Sequence, residues 1–148
     1  MPAAQSSRTA GSPAVEDYLE QIFNLINSKG YARVIDIAKN LGISQASVTN
    51  MIQRLDAEGL LIYEKYRGMV LTARGEEIAE AISLRHQVLT RLLQVFEIEE
   101  DTLYRDVEGM EHHVSPPTLA LFRALAEELE ANPQLVLKIR KRMVQDQE

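Results

Sequence analysis

The residues of this chain that could do chemistry are concentrated in the segment DVEGMEHHVSPP, residues 106–117. Three acids and two histidines fall within its first eight residues, and carboxylates and imidazoles are donors that bind divalent metals. On a helix, Glu108, Glu111 and His112 stand at i, i+3 and i+4 and share an arc of about 100°, whereas His113 points away from it. The segment is therefore either a metal-binding helix face or an ordinary solvated acidic helix.

Further donors lie far away along the chain. Asp17 and Glu20, at i and i+3, share one side of a predicted N-terminal helix, and His86 lies on a predicted long helix. A lone histidine of this kind is commonly a hydrogen-bonded core residue. The HExxH spacing of zinc proteases is absent, as is a duplicated ExxH motif of di-iron bundles. Spacing alone cannot bring these residues together.

The composition predicts a helix-dominated protein. The chain has 148 residues, 45% of them apolar and only 5% aromatic, with few glycines and prolines. It has no cysteine, which excludes disulfides, thiolate nucleophiles and cysteine-based metal sites. The opening MPAAQSSRTAGSPA lacks the apolar core of a signal peptide, and no segment approaches the roughly 20 apolar residues of a membrane span. We therefore expect a disordered tail over residues 1–13, no membrane association and a cytoplasmic location.

The charge is distributed unevenly. The net charge is -6, yet residues 29–75 contain seven basic and four acidic residues, a local balance of +3. This uneven distribution of charge indicates that one part of the chain faces an anionic partner and that another part faces a cation.

The elements that must position these residues follow from periodicity and capping signals. VEDYLEQIFNLINSKG predicts a first helix that stops at Gly30, ARVIDIAKNLG a second, and Ser44 an N-cap for a third. LIYEKYRGMVLT predicts a β-hairpin with Arg67 and Gly68 near its middle. Thr72 is predicted to cap a long amphipathic helix, and one or two shorter helices follow before Pro116 and Pro117. Two further helices are predicted, one that begins at these prolines and one that begins at Pro133.

The second and third helices have the spacing of a helix-turn-helix. Ile37, Leu41, Ile43, Val48 and Met51 are predicted to supply its internal contacts, with Gly42 at the turn. The opposite face of the third helix carries short side chains that can reach base edges in the major groove. With the hairpin as a wing that can meet phosphate, the candidate DNA contacts are Gln45, Ala46, Ser47, Thr49, Asn50, Gln53, Lys65 and Arg67. An ordinary pair of packed helices with a polar face is the alternative.

The chain also resembles a known family. VEDYLEQIFNLI, the segment from GYARVIDIAKNLG to LTARGEEIAE, LRHQVL and DVEGMEHHVS, in this order, are similar to the manganese-responsive repressors of the diphtheria-toxin-repressor family. The resemblance covers about residues 15–129. It implies a mainly α fold with a small β-hairpin wing: an N-terminal winged helix-turn-helix over residues 14–74 and an all-helical metal-binding and dimerisation domain over residues 75–148.

The resemblance further implies a set of metal ligands, namely Asp17, Glu20, His86, Glu108, Glu111 and His112. It implies two Mn²⁺ ions per subunit, with Glu20 and Glu111 as bridging ligands, and it implies that His113 is not a ligand. The iron-responsive branch uses Met and Cys at the positions held here by Asp17 and Glu108. Fe²⁺, Cd²⁺ and Zn²⁺ remain plausible binders, because the divalent series ranks manganese weakest.

The implied function is a homodimeric, metal-dependent repressor of manganese-uptake genes, without catalytic residues, that binds a double-stranded palindromic operator. Bound metal would tie the winged helix to the dimer domain and favour DNA binding. Two rivals stay open at this point. A winged-helix regulator that senses no metal would show no manganese-dependent stabilisation, and a dinuclear metalloenzyme would need a substrate cleft and turnover.

Overall fold

The first helix owes both of its ends to local signals in the sequence. The structure is a computed structural model that describes residues 12–64 and 68–147. Helix α1 spans Pro13–Lys29, with the Ser12 side chain accepting a hydrogen bond from the Val15 N–H. Gly30 ends the helix at φ 82°, a left-handed conformation that glycine adopts without strain. Ser12 and Pro13, which the sequence placed in the tail, therefore begin the helix, and the rest of that predicted tail lies outside the described residues.

The helix-turn-helix follows directly. Helix α2 spans Val34–Leu41 and α3 spans Gln45–Ala57. Gly42 ends α2 in a left-handed conformation, and the Ser44 side chain caps α3 by accepting from the Ser47 N–H at 3.1 Å. Ile43 was predicted to be internal but is 38% exposed, because it lies in the turn, where helical periodicity no longer sets the direction of a side chain.

The hairpin is a two-stranded antiparallel sheet. Strands β1 (Leu61–Glu64) and β2 (Gly68–Leu71) pair in the register Leu61 with Leu71 and Glu64 with Gly68. Leu61 and Met69 point into the same core as α1, α2 and α3. The predicted tip residues Lys65 and Arg67 lie outside the described residues.

Four helices follow within residues 68–147: α4 (Ala73–Gln94), α5 (Glu100–Met110), α6 (Pro116–Ala131) and α7 (Pro133–Gln145). The start of α4 is fixed by Thr72, whose hydroxyl donates to the Gly59 carbonyl at 2.7 Å and accepts from the Gly75 N–H at 3.2 Å. Gly75 itself packs against the backbone of Leu60, since a Cβ at this position would lie 1.9 Å from the Leu60 carbonyl oxygen. This approach joins the first turn of α4 to the end of the helix-turn-helix.

The chain forms two compact units, one up to Ile82 and one from Ser83 onward. The first has a core of buried apolar side chains centred on Leu19, Ile22, Ile37 and Leu55. The second has a smaller core around Leu89, Leu103 and Val107. The predicted domain boundary between residues 74 and 75 stays a prediction.

The mainly α fold with a small hairpin is confirmed. Over residues 12–64 and 68–147, no helix combines the length and apolarity needed to cross a membrane.

Candidate metal centre and DNA-reading helix

The second unit contains a cluster of donors on α4, α5 and the turn that follows α5. His86 lies on α4, and its Nδ1–H donates to Glu111 Oε2 at 2.7 Å. The same nitrogen lies 3.7 Å from Glu108 Oε1. Three predicted ligands thus lie within hydrogen-bonding or ion-pairing distance, although as many as 25 residues separate them in the sequence.

Glu111 is the most unusual residue of this cluster. It is 0% exposed, although a carboxylate loses several kcal/mol of hydration on burial unless charges or hydrogen bonds compensate. Its Oε2 is held by His86, but among the described residues Oε1 has no hydrogen-bond partner. His112 Nε2 lies 3.8 Å away, too far for a hydrogen bond. A buried carboxylate oxygen without a donor fits a cation ligand, so the residues present suit a metal.

The local backbone explains how Glu111 and His112 enter the cluster. Helix α5 ends at Met110, but Glu111 keeps helical torsions, with φ -59° and ψ -27°, and its N–H donates to the Val107 carbonyl. The i, i+3 relation of Glu108 and Glu111 is therefore preserved. His112 belongs to the following turn rather than to the helix, and its side chain is only 7% exposed, whereas His113 is exposed.

Asp17 and Glu20 lie in the first unit, on α1. Glu20 is 8% exposed and Asp17 is half-buried, at i and i+3 of the same helix. Burial of Glu20 beside the core residue Leu19 requires compensation of the same kind as burial of Glu111. The six predicted ligands are thus divided between the units, two in the first and four in the second.

Helix α3 presents a polar face. Val48, Ile52 and Leu55 are buried, and they anchor one side of the helix in the core of the first unit. The predicted base-reading residues lie on the exposed part of the helix: Gln45, Ala46, Ser47, Thr49, Asn50 and Gln53. The arrangement leaves a row of short side chains free to enter a DNA groove.

These exposed side chains differ in their remaining hydrogen-bonding capacity. The Thr49 hydroxyl donates to the Gln45 carbonyl at 3.0 Å, and the Ser47 hydroxyl accepts from the Ser44 hydroxyl at 2.9 Å. The side-chain amides of Asn50 and Gln53 make no hydrogen bond to any other described residue. An amide can pair with adenine through one donor and one acceptor, so Asn50 and Gln53 are the strongest candidates for base contacts.

Two family profiles match successive parts of the chain. The first, described as "Iron dependent repressor, N-terminal DNA binding domain", matches residues 12–69. The second, "Iron dependent repressor, metal binding and dimerisation domain", matches residues 72–135. Together they cover most of the chain.

Individual relatives agree with these profiles. The HTH-type transcriptional regulator MntR of Lysinibacillus sphaericus is 44% identical over 128 residues, 86% of this chain and 92% of that protein. The regulator of the same name from Bacillus subtilis is 51% identical over 104 residues, 70% of this chain and 73% of that protein. Both are transcriptional regulators rather than enzymes.

Solved structures show the same fold. The manganese regulator SloR matches with a TM-score of 0.68 at 24% identity, over 79% of this chain and 55% of SloR. IdeR of T. acidophilum matches with a TM-score of 0.65 at 26% identity, over 72% of this chain and 51% of IdeR. The chain thus spans about half the length of these two proteins. It belongs to the iron-dependent repressor family, as a metal-dependent, DNA-binding transcriptional repressor of the MntR type with a metal-binding and dimerisation domain.

Proposed function

We propose that this chain is a manganese sensor that represses manganese-uptake genes, with Asp17, Glu20, His86, Glu108, Glu111 and His112 as its metal ligands. The observation that carries the proposal is Glu111, a fully buried carboxylate. One of its oxygens is held by His86, and the other has no hydrogen bond to any described residue. A divalent ion supplies the positive charge that such an oxygen needs.

The donor set suits two ions. Four carboxylates carry a charge of about -4 when ionised, and two divalent ions carry about +4, so a filled site is formally neutral. Glu20 and Glu111 are the proposed bridges, and both are buried. Without ions the carboxylates repel one another, so the metal-free protein is expected to be looser.

Manganese is proposed from the donor types together with the names of relatives. Oxygen and nitrogen donors without thiolates suit Mn²⁺, and SloR is described as a manganese regulator. The order of affinities for divalent ions does not favour manganese, so its selection must come from coordination number and geometry. Fe²⁺, Cd²⁺ and Zn²⁺ are expected to bind in vitro as well.

Metal binding would be coupled to DNA binding because the proposed ligands belong to both units. Asp17 and Glu20 belong to the unit that carries α3, and the other four ligands belong to the unit that matches the dimerisation domain. Shared ligation would restrict the motion of the winged helices in the homodimer. Two recognition helices must lie about one turn of DNA apart, roughly 34 Å, to read a palindrome. A coupling of about 1–3 kcal/mol corresponds to roughly 5- to 150-fold tighter operator binding.

The proposed partner is a palindromic double-stranded operator, read by the exposed face of α3, with the wing residues Lys65 and Arg67 at the DNA backbone. Because such a regulator must reach the genes that it controls, the proposed location is the cytoplasm. A regulator that senses no metal would give no reason for a buried Glu111 oxygen that has no hydrogen-bond partner among the described residues.

A selection from random DNA tests the proposal and identifies the operator sequence in the same experiment. The full chain is incubated with random duplex DNA in the presence of Mn²⁺, and in parallel with a chelator. We expect enrichment of palindromes whose half-site centres lie about one helical turn apart, and only with Mn²⁺. Equal enrichment with the chelator, or no enrichment in either arm, overturns the proposal.

A further inference from the structure

The short connection between α1 and α2 holds a guanidinium in a defined position. Ala32 is 1% exposed, whereas its neighbours Tyr31 and Arg33 are both exposed. Arg33 has extended torsions, φ -119° and ψ 150°. In an extended segment, side chains at i and i+2 point to the same side. Arg33 Cζ accordingly lies 4.4 Å from the centroid of the Tyr31 ring, in a cation–π contact.

This connection lies between the two elements of the first unit that are expected to meet DNA. On one side, a Cβ at Gly68 would lie 3.5 Å from the Ala32 carbonyl oxygen, so the connection touches the first residue of β2. On the other side, Val34, which follows Arg33, lines a small cavity together with Thr49 and Gln53 of α3. The Tyr31–Arg33 pair therefore stands beside both the reading helix and the hairpin.

Among the described residues of the first unit, no carboxylate forms an ion pair with Arg33. Asp36, one turn further along α2, lies 3.9 Å from the Lys29 ammonium instead. Asp56 lines the same cavity as Val34 but makes no ion pair with Arg33, and no other carboxylate of the described residues does so either. The guanidinium presents its planar fork of N–H donors, which matches the geometry of a phosphate.

We propose that Arg33, oriented by the ring of Tyr31, contacts a DNA backbone phosphate next to the groove read by α3. Phosphate contacts fix the register of a protein on DNA, whereas base contacts supply the sequence preference. Arg33 is thus a positioning contact that adds to the base-reading residues. The inference rests on the proposed DNA-binding function and adds a further contact residue to it.

The salt dependence of binding is the most direct test of Arg33. Each neutralised phosphate adds about -0.9 to the slope of log K against log salt concentration. In a homodimer, Arg33→Gln should make that slope shallower by about 1.8, on the selected operator and on random duplex alike. Lys138→Gln is the charge-matched control, because it removes one exposed positive charge from α7 in the second unit and should leave the slope unchanged.

Two substitutions test whether the aromatic ring of Tyr31 orients Arg33. Tyr31→Phe keeps the ring and should bind DNA like the wild type, whereas Tyr31→Ala should weaken binding about 2- to 5-fold while the charge and most of the salt slope remain. Adding Tyr31→Ala to Arg33→Gln should cost nothing further, because the ring then has no cation to orient.

The inference and the proposed function can fail separately. If the wild type shows no Mn²⁺-dependent DNA binding, the proposed function is wrong, and the inference falls with it. If the wild type binds but Arg33→Gln retains the wild-type slope, the phosphate contact is wrong and the function stands. Thermal unfolding of each variant identifies any loss of affinity that arises from an unstable fold.

Discussion

Replacing Glu111 by glutamine should abolish most of the stabilisation of this protein by manganese without weakening the metal-free fold. The amide is nearly the same size as the carboxylate, and its oxygen can accept the hydrogen bond from His86 Nδ1 that Glu111 Oε2 accepts at 2.7 Å. The substitution removes a buried negative charge whose second oxygen accepts no hydrogen bond from the part of the chain that the structure describes. Without metal, the variant should therefore be as stable as the wild type or more so.

With metal, the difference should be large. At a free Mn²⁺ concentration about 100 times Kd, binding of a single ion to the folded state alone stabilises the wild type by about 2.7 kcal/mol, the minimum expected for a two-ion site. For a chain of this length, about 2–4 °C of Tm per kcal/mol gives a rise of about 5–11 °C. Loss of a hydrogen-bond partner behind a metal ligand weakens binding about 10- to 100-fold, and loss of the ligand itself should weaken it no less. A 100-fold weaker Kd leaves about 0.4 kcal/mol, or about 1–2 °C.

The assay is thermal unfolding with and without Mn²⁺, for wild type, Glu111→Gln and the control Asp106→Asn. Asp106 is an exposed acid on the same helix and is not a proposed ligand, so its variant should keep the wild-type rise in Tm. A full rise in Glu111→Gln would refute the assignment of Glu111 as a ligand. A lower Tm in the absence of metal would refute the view that its charge is costly in the metal-free fold.

Three further predictions concern the fold and the DNA contact. Gly75→Ala would place a Cβ 1.9 Å from the Leu60 carbonyl oxygen and should lower stability by about 1–3 kcal/mol or more, measured by denaturant unfolding; an unchanged midpoint would contradict that contact. Gln53→Ala should cost about 1–3 kcal/mol on the selected operator and relax one base preference per half-site, with no change on random DNA. The Glu99 carboxylate caps α5 by accepting hydrogen bonds from the backbone N–H groups of Asp101 and Thr102, and these bonds hold the pKa of Glu99 below its ordinary value. The cap therefore stabilises α5 fully at pH values above the ordinary glutamate pKa. This stabilisation is lost as the pH falls through the lowered pKa of Glu99. Glu99→Gln should accordingly lower Tm at neutral pH, and the difference from wild type should shrink in acid; a constant difference would count against the cap.

Features that depend on local contacts were predictable from the sequence. Ser44 was predicted to cap α3 and Gly30 to end α1, and both do so, because each cap depends on a hydrogen bond between groups only three or four residues apart. The hairpin was predicted for the same reason, from two short apolar runs around a glycine that adopts φ 83°.

Residues just beyond the end of a helix were predicted less well. Ile43 was assigned to the interior by counting along a helix, but it lies in the turn and is exposed. The same counting placed His112 on the face of a helix that in fact ends at Met110. The Tyr31–Arg33 pair was missed altogether, although an aromatic residue and a cation at i and i+2, on either side of a small apolar residue, form a sequence pattern that could have suggested it.

The sequence by itself determined the caps at Gly30, Ser44 and Thr72, the hairpin, the polar face of α3 and, through resemblance, which six residues to suspect as ligands. The tertiary structure decided that His86 lies beside Glu108 and Glu111. It also decided that Glu111 is fully buried, with one oxygen that has no hydrogen-bond partner among the described residues. The physical reason is how far apart in the sequence the contacting residues lie. Caps and helical faces arise from contacts within about one turn, whereas the hydrogen bond between His86 and Glu111 joins residues 25 positions apart and forms only when the chain has folded.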